Sequence, residues 1–131
     1  MSVPSGQLAV GEVGRCPECG CVGPNPGYHP LSPEEIDREL MSLPAWRLAP
    51  YPGGRLCLFR RIDLQDRNAV LRLVNGISAA AESPGISHHP DLLLQGTALE
   101  VRLTTHAAEG ITAYDLRLAH ALGVVFDDAV S

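Results

Sequence analysis

Two apolar segments around a glycine do most to limit how this chain can fold. Leu92, Leu93 and Leu94 form a continuous apolar run, and Leu99, Val101 and Leu103 alternate along a second, with Gln95-Gly96-Thr97-Ala98 between them. An apolar run, a glycine-bearing gap and a period-two segment together signal a β-hairpin. A turn centred near Gly96-Thr97 gives antiparallel partners whose numbers sum to about 193. On that register His88 falls roughly opposite Thr105, so His88, His89 and His106 gather at the open end of the hairpin. Histidine is the side chain that most readily gives or takes a proton near neutral pH. The open end is therefore a candidate for proton-transfer chemistry.

The flanking segments complete a pattern. Ser32-Pro33-Glu34-Glu35 opens a helix with a capping serine, a proline in the first turn and a glutamate three residues after the cap. Ile36, Leu40 and Leu43 give this helix an apolar stripe, and Pro44 is expected to end it. Trp46 to Ala49 and Arg55 to Ile62 read as strands around the breaker-rich Pro50-Tyr51-Pro52-Gly53-Gly54. In the second strand Leu56, Leu58 and Arg60 face one way, and Cys57, Phe59 and Arg61 the other. A second helix starts at Asp63 or Asp66, carries Val70, Leu71, Val74, Ile77 and Ala81 inward, and closes at Ser83-Pro84-Gly85. Thr112 with Asp115 three residues on opens a third helix through Leu116, Leu118, Ala119 and Leu122, for which Gly123 is a plausible C-cap. Helix, two strands, helix, two strands, helix predicts an α+β domain: a four-stranded antiparallel sheet with three helices packed on one face.

Residues 1–30 differ from this pattern, because glycine and proline punctuate them too often for a helix or long strand. They read as an extension, and the domain as residues 31–131. Within the extension, Cys16-Pro17-Glu18-Cys19-Gly20-Cys21 resembles one knuckle of a zinc ribbon, and Cys21 and His29 could complete a structural zinc site. The alternative is a thiol-bearing tail. Cys57 alternates with strand positions and reads as a core residue, and His120 as a residue of the last helix that is exposed to solvent or makes an oligomer contact.

The 131 residues suit one domain, and a hydrophobic content of 45% is ordinary for a globular chain. A formal charge of −5, with no lysine and no run of arginines, argues against nucleic acid as the main partner. No apolar stretch is long enough to span a bilayer and no signal peptide is evident, so the expected location is the cytoplasm.

The residues quoted above also carry a resemblance. Leu31-Ser32-Pro33-Glu34-Glu35, Trp46, Phe59 to Asp63, His88-His89-Pro90-Asp91, Val101 to His106, and Gly110-Ile111-Thr112 with Asp115 to Ala119 match the pterin-4a-carbinolamine dehydratase family over about Leu31 to Gly123. The resemblance implies an αββαββα fold that pairs into dimers or tetramers. It implies an enzyme that removes water from a 4a-hydroxytetrahydropterin to give the quinonoid dihydropterin, with no metal or organic cofactor. By residue match His88, His106 and Asp115 are catalytic, and His89, Pro90, Thr105 and Glu82 bind the pterin. Gly96 stands where the family carries an aromatic residue, and Pro84 where it places an acid, with Glu82 the nearest acid upstream.

Hydroxide leaves poorly, so an acid must meet the departing oxygen while a base takes the proton lost from the ring nitrogen. Three histidines could instead hold a zinc ion, which the family does not need. Taken singly, His106 reads as an exposed strand-end residue and Asp115 as the partner of a helix cap. Some members of the fold are Rubisco assembly factors in carboxysome-forming bacteria, and a catalytically silent chaperone of that kind is the alternative function.

Overall fold

The computed structural model describes residues 14–15, 22–23, 30–86 and 88–130. A two-stranded antiparallel ribbon, β1 (Gly14–Arg15) with β2 (Val22–Gly23), precedes the domain. The expected zinc ligands Cys16, Cys19, Cys21 and His29 lie outside the described residues. The domain then runs α1 (Pro33–Leu40), β3 (Arg47–Tyr51), β4 (Arg55–Asp63), α2 (Arg67–Glu82), β5 (Asp91–Gln95), β6 (Ala98–Leu103) and α3 (Ala113–Val130). The last four strands form one antiparallel sheet in the order β3-β4-β6-β5. This is the expected α+β architecture.

The hairpin register is the one read from the sequence: Leu92 pairs with Val101 and Gln95 with Ala98. Gly96 turns the chain at φ +62°, a left-handed conformation that glycine takes without a Cβ penalty. One face of the sheet carries Leu58, Leu99, Val101 and Leu103 into a core shared with Ile36, Ile77 and Phe126 of the helices. On the opposite face Ala49, Cys57 and Phe59 make a separate small cluster.

The caps explain where the helices start. Ser32 Oγ accepts from the Glu35 N–H at 3.1 Å, and the Glu35 carboxylate accepts from the Ser32 N–H at 2.8 Å. Asp66, rather than Asp63, caps α2 by accepting from the Ala69 N–H at 2.8 Å.

Three boundaries and one buried face differ from expectation. Helix α1 ends at Leu40, ahead of Pro44. Pro44 disfavours helical backbone at Leu43, and the chain tightens into i+3 bonds from Met41 to Arg38, Ser42 to Glu39 and Leu43 to Leu40. Pro50 and Tyr51 belong to β3 instead of the turn, because β3 is an edge strand where a missing N–H breaks no ladder bond. On α2 the buried stripe runs Val70, Leu73, Ile77, Ala81, whereas Leu71, turned about 100° from Val70, is 44% exposed. Finally, Gly123 does not cap α3, which continues for seven more residues to Val130. Phe126, fully buried, meets Trp46 edge-on at 6.0 Å and lies under the Arg60 guanidinium at 3.8 Å, so packing carries the helix through the glycine.

Two helical glycines make opposite predictions. A Cβ on Gly123 would meet nothing within 4 Å, whereas one on Gly76 would lie 2.8 Å from Val125 Cγ1, where α2 and α3 approach closely. Gly123→Ala is expected to raise the unfolding free energy by about 0.5–1 kcal/mol, the usual entropic gain within a helix. Gly76→Ala should lose that gain to overpacking and fall about 1 kcal/mol below wild type. Urea denaturation of the two variants checks the signs.

Candidate active site

Helix α3 starts at a reciprocal cap that also builds the site. Thr112 Oγ1 accepts from the Tyr114 N–H at 3.2 Å, and the Asp115 carboxylate accepts from the Thr112 N–H at 2.9 Å. The cap thus delivers Asp115, fully buried, to the end of β6. There Thr105 Oγ1 donates to Asp115 Oδ2 at 2.7 Å. Since that hydroxyl spends its hydrogen on the carboxylate, the 2.8 Å contact between the two threonine hydroxyls is donated by Thr112. The other carboxylate oxygen meets His88 Nε2 at 2.6 Å. A carboxylate only accepts, so His88 donates from Nε2 and keeps Nδ1 for other partners. The His88 side chain is 15% exposed, open enough for a ligand to reach while Asp115 behind it is dry.

The chain turns over residues 83–86 after α2, and the two adjacent histidines take different partners. Helix α2 ends at Glu82 with Ser83 as its cap, and the His88 N–H reaches back to the Ala81 carbonyl at 3.1 Å. The Arg117 guanidinium donates to the Gly85 carbonyl, tying this connection to α3. His89 points elsewhere, where its Nε2 pairs with the Glu82 carboxylate and both side chains are largely exposed. Pro90 then leads directly into β5.

His88 and Thr105 do not face each other as ladder partners, contrary to the extrapolated register. Strand β5 begins only at Asp91, and Thr105 bridges to Gly110 instead. Pro90 has no N–H to give a ladder there. The two residues meet through Asp115 rather than across strands.

His106 belongs to a second group. It opens a short 3₁₀ turn, His106–Ala108, next to Thr105, and its Nδ1 lies 3.0 Å from Arg55 Nη1. The Tyr51 ring stands nearly edge-on to the imidazole at 5.6 Å, and the Tyr51 hydroxyl donates to the Asp91 carboxylate. That hydrogen bond, helped by burial, raises the Tyr51 pKa and keeps the phenol a donor. Of the residues expected from the sequence, His88, Thr105 and Asp115 share one network, His89 and Glu82 form a pair, and His106 hydrogen-bonds to neither. Thr112, Tyr51 and Arg55 are additional members. The Thr112-Asp115 spacing carried the signal for the first, and no local pattern marked the other two.

Known proteins place the chain. The family described as Pterin 4 alpha carbinolamine dehydratase matches residues 29–124. A relative from Acidobacterium capsulatum that carries the family's name is 36% identical over 93 residues, 70% of this chain and 92% of that protein. A solved structure from Brucella melitensis, described as a transcriptional coactivator/pterin dehydratase, superposes with a TM-score of 0.64. It covers 74% of this chain and 98% of that one at 23% identity, which speaks for the fold alone. A solved pterin dehydratase-like protein described as a RuBisCO assembly factor in the alpha-carboxysome reaches a TM-score of 0.41 over 60% of this chain and 90% of that one, with 19% identity, too loose to argue from. The match over residues 29–124 and the identity to its relatives make this chain a member of the pterin-4a-carbinolamine dehydratase family.

Proposed function

We propose that this chain catalyses loss of water from a 4a-hydroxytetrahydropterin to give the quinonoid dihydropterin, without a metal or organic cofactor. In that reaction the carbon–oxygen bond breaks, the ring nitrogen gives up its proton, and its electron pair forms the new double bond. Hydroxyl and proton leave together as water, so the protein returns to its starting protonation state each turnover. His88, backed by Asp115, moves the proton, and His106 meets the departing hydroxyl. His89 with Glu82, together with Pro90 and Thr105, frames the pterin. The observation that carries this reading is the 2.6 Å contact of a partly open imidazole with a fully buried carboxylate that two further donors hold in place. A carboxylate so fixed orients the ring and supports its charged form, and a positioned imidazole typically contributes about 10²–10⁴-fold.

Stopped-flow absorbance with freshly generated 4a-hydroxytetrahydropterin tests the reading. The chain should consume it faster than the spontaneous dehydration, at a rate proportional to protein concentration. A rate equal to the spontaneous one would remove the enzyme reading and leave the Rubisco assembly factor, scored by recovery of soluble Rubisco on co-expression.

The working form we propose is a cytoplasmic homo-oligomer. Among the described residues no helix is long and apolar enough to cross a membrane. Val124 and Val130 of α3 and Leu71 of α2 expose 68%, 64% and 44% of their surface, apolar area that a second copy would cover. Light scattering should return a multiple of the chain mass at micromolar concentration, and a monomer would contradict this.

A further inference from the structure

We infer that Arg55 is a positioning residue that holds His106 as the neutral Nε2–H tautomer, so that His106 works as a hydrogen-bond donor and leaves proton transfer to His88. The catalytic half of this inference rests on the dehydratase reading; the tautomer does not.

The turn between β3 and β4 sets the geometry. Tyr51 and Arg55 form the last pair of that hairpin, and Gly53 and Gly54 close it at φ +92° and +84°. The hairpin end thereby brings two side chains against the 3₁₀ turn that starts at His106. Arg55 Nη1 sits 3.0 Å from His106 Nδ1. A guanidinium has five donors and no acceptor, so Nδ1 must present its lone pair and the ring proton must sit on Nε2. A second proton on Nδ1 would set donor against donor and cation against cation.

The surroundings agree. The charged and titratable groups about the ring are Arg55 from β4, Tyr51 from β3, Asp91 from β5 and Glu109 in its own turn, whose backbone N–H donates to the His106 carbonyl at 3.1 Å. The Asp91 carboxylate is taken by the Tyr51 hydroxyl. Arg55 itself is steadied over the Tyr51 ring at 5.8 Å, and it keeps this place although its Nε is buried with no hydrogen-bond partner among the described residues. His88 has the opposite environment, since its Nε2 meets the Asp115 carboxylate. One imidazole faces an anion and the other a cation. The first has its Nε2 hydrogen committed to the carboxylate, and the second is built to offer a fixed N–H to an oxygen.

Long-range proton–nitrogen spectra of the ¹⁵N-labelled full chain at neutral pH read the tautomer directly. Wild type should show a pyridine-type Nδ1 and a pyrrole-type Nε2 for His106. Arg55→Leu should show a mixture of tautomers, and Arg55→Lys, which keeps a cationic donor, should restore the wild-type pattern. A pyrrole-type Nδ1 in wild type, or an Arg55→Leu ring identical to wild type, would overturn the assignment. Dehydration rates then test the donor role. His106→Ala should be slower by about 10²–10³-fold, the usual loss for one positioned donor. His106→Gln, which retains an N–H near the Nε2 position but cannot carry a proton, should recover to within about tenfold of wild type. A Gln variant as slow as the Ala variant would show that His106 must carry a proton, and the inference would fail. The ring spectra need no substrate, so failure of the tautomer and failure of the dehydratase reading register in different measurements.

Discussion

Asp115→Ala is expected to lower the unfolding free energy by about 3–5 kcal/mol, the range for removing one partner of a buried polar pair, and to slow pterin dehydration by at least about 10²-fold. The size follows from what the carboxylate holds. Thr105 Oγ1, the Thr112 N–H and His88 Nε2 all donate to it, and all three would lose their acceptor at once. Each orphaned buried donor costs about 1–3 kcal/mol, partly recovered where water can enter. Loss of the Thr112 bond also undoes half of the cap that starts α3. Asp115→Asn separates the two effects. It keeps the shape and one acceptor oxygen, so most of the stability should return. Its amide cannot serve His88 as an anion, so the rate should stay low. Urea denaturation and the dehydration rate of both variants check this, and an Asn variant with wild-type turnover would show that the negative charge is not needed.

The parts of this fold that were legible in the sequence are those fixed by short-range rules. Alternation at Leu99, Val101 and Leu103 with a glycine turn set a register that holds from Asp91 to Arg102. Ser32 with Glu35, and Thr112 with Asp115, marked two helix starts because a cap is a four-residue device. Helix ends were less legible. Gly123 looks like a stop, but Phe126 one turn beyond is locked between Trp46 and Arg60, which come from distant parts of the chain. Tertiary burial there outweighs the local weakness of one glycine.

The site divides in the same way. That His88, Thr105 and Asp115 would meet near the hairpin end was legible, because the histidine pair, the Thr-His step and the helix-cap carboxylate all fall there in sequence. How they pair was not. The extrapolated ladder put His88 opposite Thr105, whereas Pro90 delays the strand and Asp115 joins them from a helix. The Tyr51-Arg55 pair was invisible for a related reason. Its meeting with His106 depends on where a hairpin tip lands some fifty residues away in sequence, 51 for the Arg55 contact. Gly96, in place of an aromatic, is explained locally, since its φ of +62° suits glycine in the two-residue turn.

The most direct measurement of the central claim is the dehydration rate of His88→Ala beside wild type, with stability measured on the same samples. Among the described residues His88 is the one imidazole in contact with a buried carboxylate, and its side chain is partly open to a ligand. Removing it deletes the proposed proton carrier. It also orphans one oxygen of Asp115, while Thr105 and Thr112 still serve the other. The account predicts a chain that still folds and forms the same oligomer but dehydrates 4a-hydroxytetrahydropterin roughly 10²–10⁴-fold more slowly than wild type. A folded His88→Ala protein that keeps the wild-type rate would contradict it.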